Sequence, residues 1–334
     1  MWNAAGSKVT LLIRKDRVLS AWDRRAGTTL TRELKRHGVN IITRASVTHV
    51  DTGANLGATV HYTREGQDGE QSVWGEIALV AIGRDPITDP AWGVTIDDHG
   101  HVATDAYGRT DKPGVWAVGD VTAGHALAHR AFEQGIVIAE TIAGLNPKPV
   151  DEATVPQIVF SFPEAASVGL TVEQAQARED LIEIKETNYP MLANARMLMS
   201  GTAGSLTIVS GCDAANPDTP RVLGVHMVSQ MASDIIAEAE QLVGNHVPLA
   251  DAARLVHPHP TFSETLGEAL LKPTDGRYTH AETNQHKQVR TSAPDKMLPS
   301  VFRPNKGRSD GGKGREAEEA EHNQADHPDL QVHG

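Results

Sequence analysis

The segment His257-Pro258-His259-Pro260-Thr261-Phe262-Ser263-Glu264 joins the residue types that move protons. A histidine changes charge near neutral pH. A nearby carboxylate fixes its tautomer and raises its basicity, so the pair forms a proton-transfer device. Pro260 stiffens the loop, and Thr261 or Ser263 could cap a helix carrying Glu264. Two other readings stay open: His257 and His259 could ligate a metal, although no cysteine or third histidine clusters with them in sequence, or they belong to an ordinary surface loop.

A second segment, Arg109-Thr110-Asp111-Lys112-Pro113-Gly114-Val115-Trp116-Ala117-Val118-Gly119-Asp120, reads as a hydrophobic strand running into a Gly-Asp corner. That corner places a carboxylate at a strand's C-terminal edge, where α/β sheets bind ligands. Gly119 permits close backbone approach, and Asp120 could accept a hydrogen bond from a sugar-like hydroxyl. The following helix would aim its N–H groups, around Ala126, Leu127, Ala128 and His129, at polar ligand atoms. A plain strand–turn–helix with an N-capping aspartate is the alternative. A third segment, Ala81-Ile82-Gly83-Arg84-Asp85-Pro86, reads as the end of a buried strand closed by a turn.

These groups need elements to position them. Val9 to Ile13 predicts a buried parallel strand, Asp23 to His37 a helix with Gly38 at its C-terminus, and Val39 to Ile42 a second strand, a β-α-β order typical of parallel α/β units. Alternating stretches through Val47, Ala58 to Tyr62 and Val73 predict a meander. Ile77 to Ile82 predicts a buried strand and Val115 to Val118 a short one. Leu127 to Ala143 predicts a long helix, stopped by Gly144 and Pro147. Pro147 to Pro156 reads as a linker. Beyond it, strands at Gln157 to Phe160, Ser205 to Ser210 and Val222 to Val228 mix with helices at Ala232 to Val243 and Ser263 to Leu271, as in a separate α+β domain. From residue 273 on, the chain is rich in Glu, Asp, Lys, Asn, Gly and His and lacks apolar periodicity. It is expected to be disordered.

With 334 residues, 39% of them hydrophobic, the chain can build two or three domains. Its net charge of −12 argues against a nucleic-acid partner, and no apolar run approaches the length that spans a bilayer. One cysteine, Cys212, leaves no internal disulfide framework and fits a reducing cytoplasm, the expected location. No metal site is expected.

Taken together, the motifs resemble those of class I pyridine nucleotide-disulfide oxidoreductases, dihydrolipoamide dehydrogenases especially. The likeness rests on T-x-x-P-G-V-W-A-V-G-D, on A-L-A-H at 126–129 with the A-x-x-Q-G helix at 131–135, on A-I-G-R-D-P and on H-x-H-P-T-x-x-E. Further matches are Val155-Pro156, Phe162-Pro163-Glu164-Ala165-Ala166-Ser167-Val168-Gly169-Leu170-Thr171, Leu223-Gly224-Val225-His226-Met227 and Leu266-Gly267-Glu268-Ala269. They cover roughly residues 8–272.

The resemblance implies an α/β and α+β chain of partial Rossmann-like NAD and FAD domains followed by an α+β dimerisation domain. Residues 1–82 would be the C-terminal part of the NAD(P)-binding domain and 83–149 the second part of the FAD-binding domain. Residues 150–272 would form the interface domain and 273–334 a tail. It further implies FAD and NAD or NADP as cofactors, a homodimer, and a lipoyl-domain or small-molecule disulfide or dithiol as substrate, with neither nucleic acid nor membrane as partner. Asp120 would meet the flavin's ribityl chain, with Gly119 at the corner, and Ala126, Leu127, Ala128 and His129 would lie beside the flavin ring. Gly83 would lie near the nicotinamide nucleotide. His259 and Glu264 would form the acid–base dyad that reaches a partner subunit's cysteine pair.

Arg14 and Lys15 stand where NAD-preferring relatives carry an acidic residue. They would neutralise a 2′-phosphate, or they are simply solvated charges. The family's C-x-x-x-x-C pair and its Gly-rich phosphate-binding turns are not in the sequence. The expectation is therefore an N-terminally truncated relative that performs no disulfide chemistry as a lone chain. A reductase of another disulfide or of a quinone, and a non-catalytic dimerising remnant, are the alternatives.

Overall fold

The computed structural model describes residues 1–53 and 57–274, apart from the side chain of residue 193. Strand β1 (Thr10–Ile13) leads through a turn to helix α1 (Arg24–Arg36), and β2 (Asn40–Thr43) returns parallel to β1. The buried carboxylate of Asp23 accepts the Ala26 N–H at 2.8 Å and caps α1, while Lys35 and Arg36 complement the dipole in its last turn. Ala26 and Leu30 form the buried face, packed with Val18, Val39 and Ile41.

An antiparallel meander follows: β3 (Ala45–Asp51), β4 (Ala58–Arg64) and β5 (Gln71–Gly75). The strand expected at Ile77 to Ile82 does not form. Residues 76–82 carry no strand assignment, and Ile82 is 89% exposed. A buried parallel strand needs neighbours for its N–H and C=O groups and cover on both faces. The parallel sheet holds only β1 and β2 among the described residues, so this run has nothing to join. Val115 to Val118 is likewise reduced to one isolated bridge, Arg109 to Trp116. The long helix forms as α2 (Ala128–Ile142).

The rest of the chain builds a five-stranded antiparallel sheet. In chain order its elements are β6 (Gln157–Val159), β7 (Glu164–Gly169), α3 (Val172–Gln176), β8 (Leu181–Pro190), α4 (Ala195–Ser200), β9 (Ser205–Asp213), β10 (Asn216–Ser229), α5 (Ala232–Gly244), α6 (Leu249–Ala252) and α7 (Glu264–Leu271). The spatial order is β6-β7-β10-β9-β8. Leu206, Ile208, Val225 and Met227 from the central strands pack against Ile236 and Ala239 of α5 and Leu266 and Leu270 of α7. Truncating either buried leucine to alanine costs about 2–5 kcal/mol, so α7 is held firmly. Residues 273 and 274, placed in the expected tail, instead belong to a 3-10 turn, Lys272–Thr274, with Pro273 buried; the rest of the expected tail, from 275 onward, lies outside the described residues.

Candidate active site

Glu264 is the first residue of α7. Thr261 Oγ1 accepts its backbone N–H at 3.2 Å, so Thr261 caps the helix, and Ser263 makes no capping bond. With Leu266 and Leu270 locked in the core, the position of the Glu264 backbone follows from packing. Its carboxylate has only 12% of its surface exposed. One oxygen, Oε1, accepts the side-chain amide of Asn194 at 2.9 Å, and the other, Oε2, lies 2.9 Å from His259 Nδ1. The His259 side chain is 75% exposed, and its Nε2 has no hydrogen bond among the described residues.

This is a proton-transfer arrangement with one anchored end and one open end. A hydrogen bond from Nδ1–H to Glu264 assigns the tautomer and leaves the Nε2 lone pair facing solvent. Asn194 completes the chain of support. Its amide also donates to Thr261 O at 3.0 Å, and its Oδ1 accepts the Met197 N–H at 3.0 Å, capping α4. The sequence gives little sign of Asn194, because a single asparagine far upstream has no spacing relative to the histidine loop.

His257 has a different environment. Its Nε2 lies 2.8 Å from Glu238 Oε1 and its Nδ1 3.2 Å from Leu255 O. Its ring packs on Gly267 so closely that a Cβ there would stand 2.4 Å from Nδ1. His257 and His259 thus turn to separate carboxylates. The loop is built as two His–carboxylate pairs rather than as a shared metal site.

At the other candidate site, the Gly-Asp corner forms a short 3-10 turn, Gly119–Val121. Gly119 has φ +83°, and Gln134 Oε1 accepts its N–H at 2.9 Å. Asp120 is exposed and pairs with Arg84 at 3.2 Å, which brings together two of the three sequence motifs. An exposed pair of this kind contributes about 0–1 kcal/mol, so the carboxylate is easily re-partnered. Gly83 has φ +132° and stands in open space.

Helix α2 starts at Ala128 with Leu127 as its N-cap, and no side chain caps its first N–H groups. Ala126, Ala128 and His129 are exposed there, and His129 Nε2 lies 2.7 Å from Pro156 O. The buried Arg130 fixes the loop before the helix. It donates to Thr122 Oγ1 at 3.3 Å and pairs with Glu152 at 2.5 Å, while Glu152 accepts the His125 N–H at 3.3 Å. A cation one residue past A-L-A-H was the available clue to this clamp. Arg14 and Lys15 stand exposed just after β1 and carry no ion pair among the described residues.

The lone thiol takes no part in either site. Cys212 is buried in β9, and burial, with Glu183 and Asp213 nearby, pushes its pKa up.

Comparison with known proteins identifies the family. Residues 1–135 match the pyridine nucleotide-disulphide oxidoreductase family, and residues 155–270 match that family's dimerisation domain. The chain is 37% identical over 276 residues to a dihydrolipoyl dehydrogenase of Cupriavidus necator, covering 81% of this chain and 56% of that protein. It is 35% identical over 280 residues to one from Bacillus subtilis, covering 82% and 57%. Among solved structures it resembles LpdA from Mycobacterium tuberculosis, with TM-score 0.71 and 27% identity over 81% of this chain and 57% of that one. The chain belongs to the pyridine nucleotide-disulphide oxidoreductase family. It spans a little over half the length of these relatives.

Proposed function

We propose that this chain supplies the acid–base half of a dihydrolipoyl dehydrogenase-like active site. The observation that carries the proposal is the His259–Glu264 pair, held from behind by Asn194 and open at Nε2. His259 accepts a thiol proton at Nε2 and returns it, and Glu264 holds the ring and stabilises the imidazolium. Cys212 is buried and does not reach the dyad, so the dithiol or cysteine that gives up this proton would come from a substrate or a partner subunit. The interface domain, residues 150–272, would bring the dyad to that chain in a homodimer or in a pairing with a longer relative.

Asp120 and the open N-terminus of α2 fit the polar side of a flavin, since the carboxylate is only weakly paired and the helix start has no side-chain cap. When bound, FAD and NAD would supply electron transfer between the dithiol and the nicotinamide. In the residues present, Asp120 would orient ribityl-like hydroxyls, the 126–129 turn would border the ring, and Gly83 would lie along the nucleotide's path. Arg14 and Lys15 would meet a nucleotide phosphate.

Grafting residues 155–270 into the Cupriavidus necator relative in place of its own dimerisation domain tests the reading. The chimera should oxidise dihydrolipoamide with NAD+. A chimera that folds and dimerises yet shows no turnover contradicts it.

A further inference from the structure

The meander carries a cluster that the dyad and the flavin-facing residues do not use. His49 of β3 and His61 of β4 are directly paired across the two strands, and their rings stack with centroids 4.1 Å apart and planes 8° from parallel. Stacking turns corresponding edges the same way. On one edge, Asp51 Oδ2 lies 3.2 Å from His61 Nε2 and 3.8 Å from His49 Nε2. On the other edge, Glu70 Oε2 lies 3.4 Å from His61 Nδ1 and Oε1 lies 3.8 Å from His49 Nδ1. An irregularity in the β3–β4 register between Val47 and His49 brings Thr48 to the same edge. Its hydroxyl donates to Glu70 Oε1 at 2.6 Å and lies 3.2 Å from His49 Nδ1.

Donor counting fixes one tautomer. Thr48 spends its only hydrogen on Glu70, so a neutral His49 donates from Nδ1 to Thr48 and keeps its Nε2 lone pair. His61 has a carboxylate at each ring nitrogen, and donating from Nδ1 to Glu70 frees its Nε2 for a cation shared with Asp51. Two imidazole nitrogens and a carboxylate oxygen form a donor set suited to a borderline divalent cation, and acceptors behind the ligating rings are the usual support for such a site. A tetrahedral ion with bonds near 2.0–2.1 Å needs donors about 3.3 Å apart. The Asp51–His61 separation already meets this. The stacked rings point their Nε2 atoms the same way, so the half-exposed His49 ring must tilt out of the stack toward Asp51 for both lone pairs to converge on one ion.

From this geometry we infer a zinc-type cation site formed by His49 Nε2, His61 Nε2 and Asp51, with Glu70 and Thr48 orienting the rings and water completing the shell. Sequence spacing hides it, because the two histidines come from neighbouring strands and meet only through the β3–β4 register.

Diethylpyrocarbonate labelling of the full chain, read peptide by peptide with and without Zn2+, tests the site, with the exposed His99 as an internal control. Zn2+ should protect His49 and His61, and Asp51→Asn should abolish the protection. Glu70→Gln, which leaves the ligands intact, should weaken Zn2+ binding by about 10- to 100-fold. The inference is overturned if His49 and His61 label equally with and without Zn2+. It is also overturned if Asp51→Asn binds Zn2+ like the unsubstituted chain, in which case the cluster is only a surface network of histidines and carboxylates.

Discussion

Asn194 and Glu264, separated by 70 positions in the chain, are joined by a 2.9 Å hydrogen bond from the asparagine amide to the carboxylate. Asn194 is 2% exposed and also caps α4, so one side chain fixes a helix start and the back of the dyad. Glu264 is thereby left with one oxygen for His259. The active loop is positioned from β8–α4 as well as from α7.

Two substitutions at Asn194 separate those duties. Asn194→Ala loses both and should cost about 1–2 kcal/mol in chemical denaturation, in the range of an N-cap deletion. Asn194→Asp keeps a capping oxygen but sets a second carboxylate against Glu264. In the chimera it should lower turnover more than it lowers stability. Equal losses in the two measurements for Asn194→Asp would mean that Asn194 serves the helix alone.

His226 makes folding sensitive to acid. It is buried in β10, with Nδ1 2.7 Å from Ser167 Oγ and Nε2 3.1 Å from Leu170 O, a pairing that suits the neutral ring. Burial holds its pKa below the ordinary histidine value, and Asp23 offsets this only in part. The unfolded chain therefore takes up a proton near pH ~6.5 that the folded chain refuses. This contribution to stability is intact above that pH and lost as pH falls below it, by at most about 1.4 kcal/mol per unit. Urea denaturation should show the decline, and His226→Gln should flatten it. A His226→Gln chain with the same pH slope as the parent would refute the assignment.

The run from Ile77 to Ile82 should drive self-association. Ile77, Leu79, Val80 and Ile82 all stand exposed without strand partners. Apolar surface of this extent is a docking or aggregation surface. Replacing Leu79 and Ile82 by serine should reduce aggregate in size-exclusion chromatography while changing stability by no more than about 0.5 kcal/mol. A large loss of stability would show that the run is packed in solution.

What the sequence conveyed follows the range of its signals. Helix α1 was readable to within a residue, because Asp23 caps it, Ala26 and Leu30 share a face, and Gly38 follows it. The His259–Glu264 pairing was readable because its residues are nearly contiguous. The Ile77 to Ile82 strand was misread, since an apolar run states a preference for burial but not the presence of a sheet to join. Asn194, Arg130 as a clamp, and the His49–His61 pairing were out of reach or barely hinted at. Each depends on contacts between segments far apart in the chain, which local periodicity does not encode.

The assignment of proton transfer to His259 and of ring orientation to Glu264 underlies the proposed function. It is tested most directly by dihydrolipoamide turnover of the chimera bearing His259→Gln, compared with Glu264→Gln and with the unsubstituted chimera. His259→Gln should lower kcat by about 100- to 10,000-fold and Glu264→Gln by a smaller factor, with dimerisation unchanged in both. A His259→Gln chimera that turns over within a few-fold of the parent would contradict it.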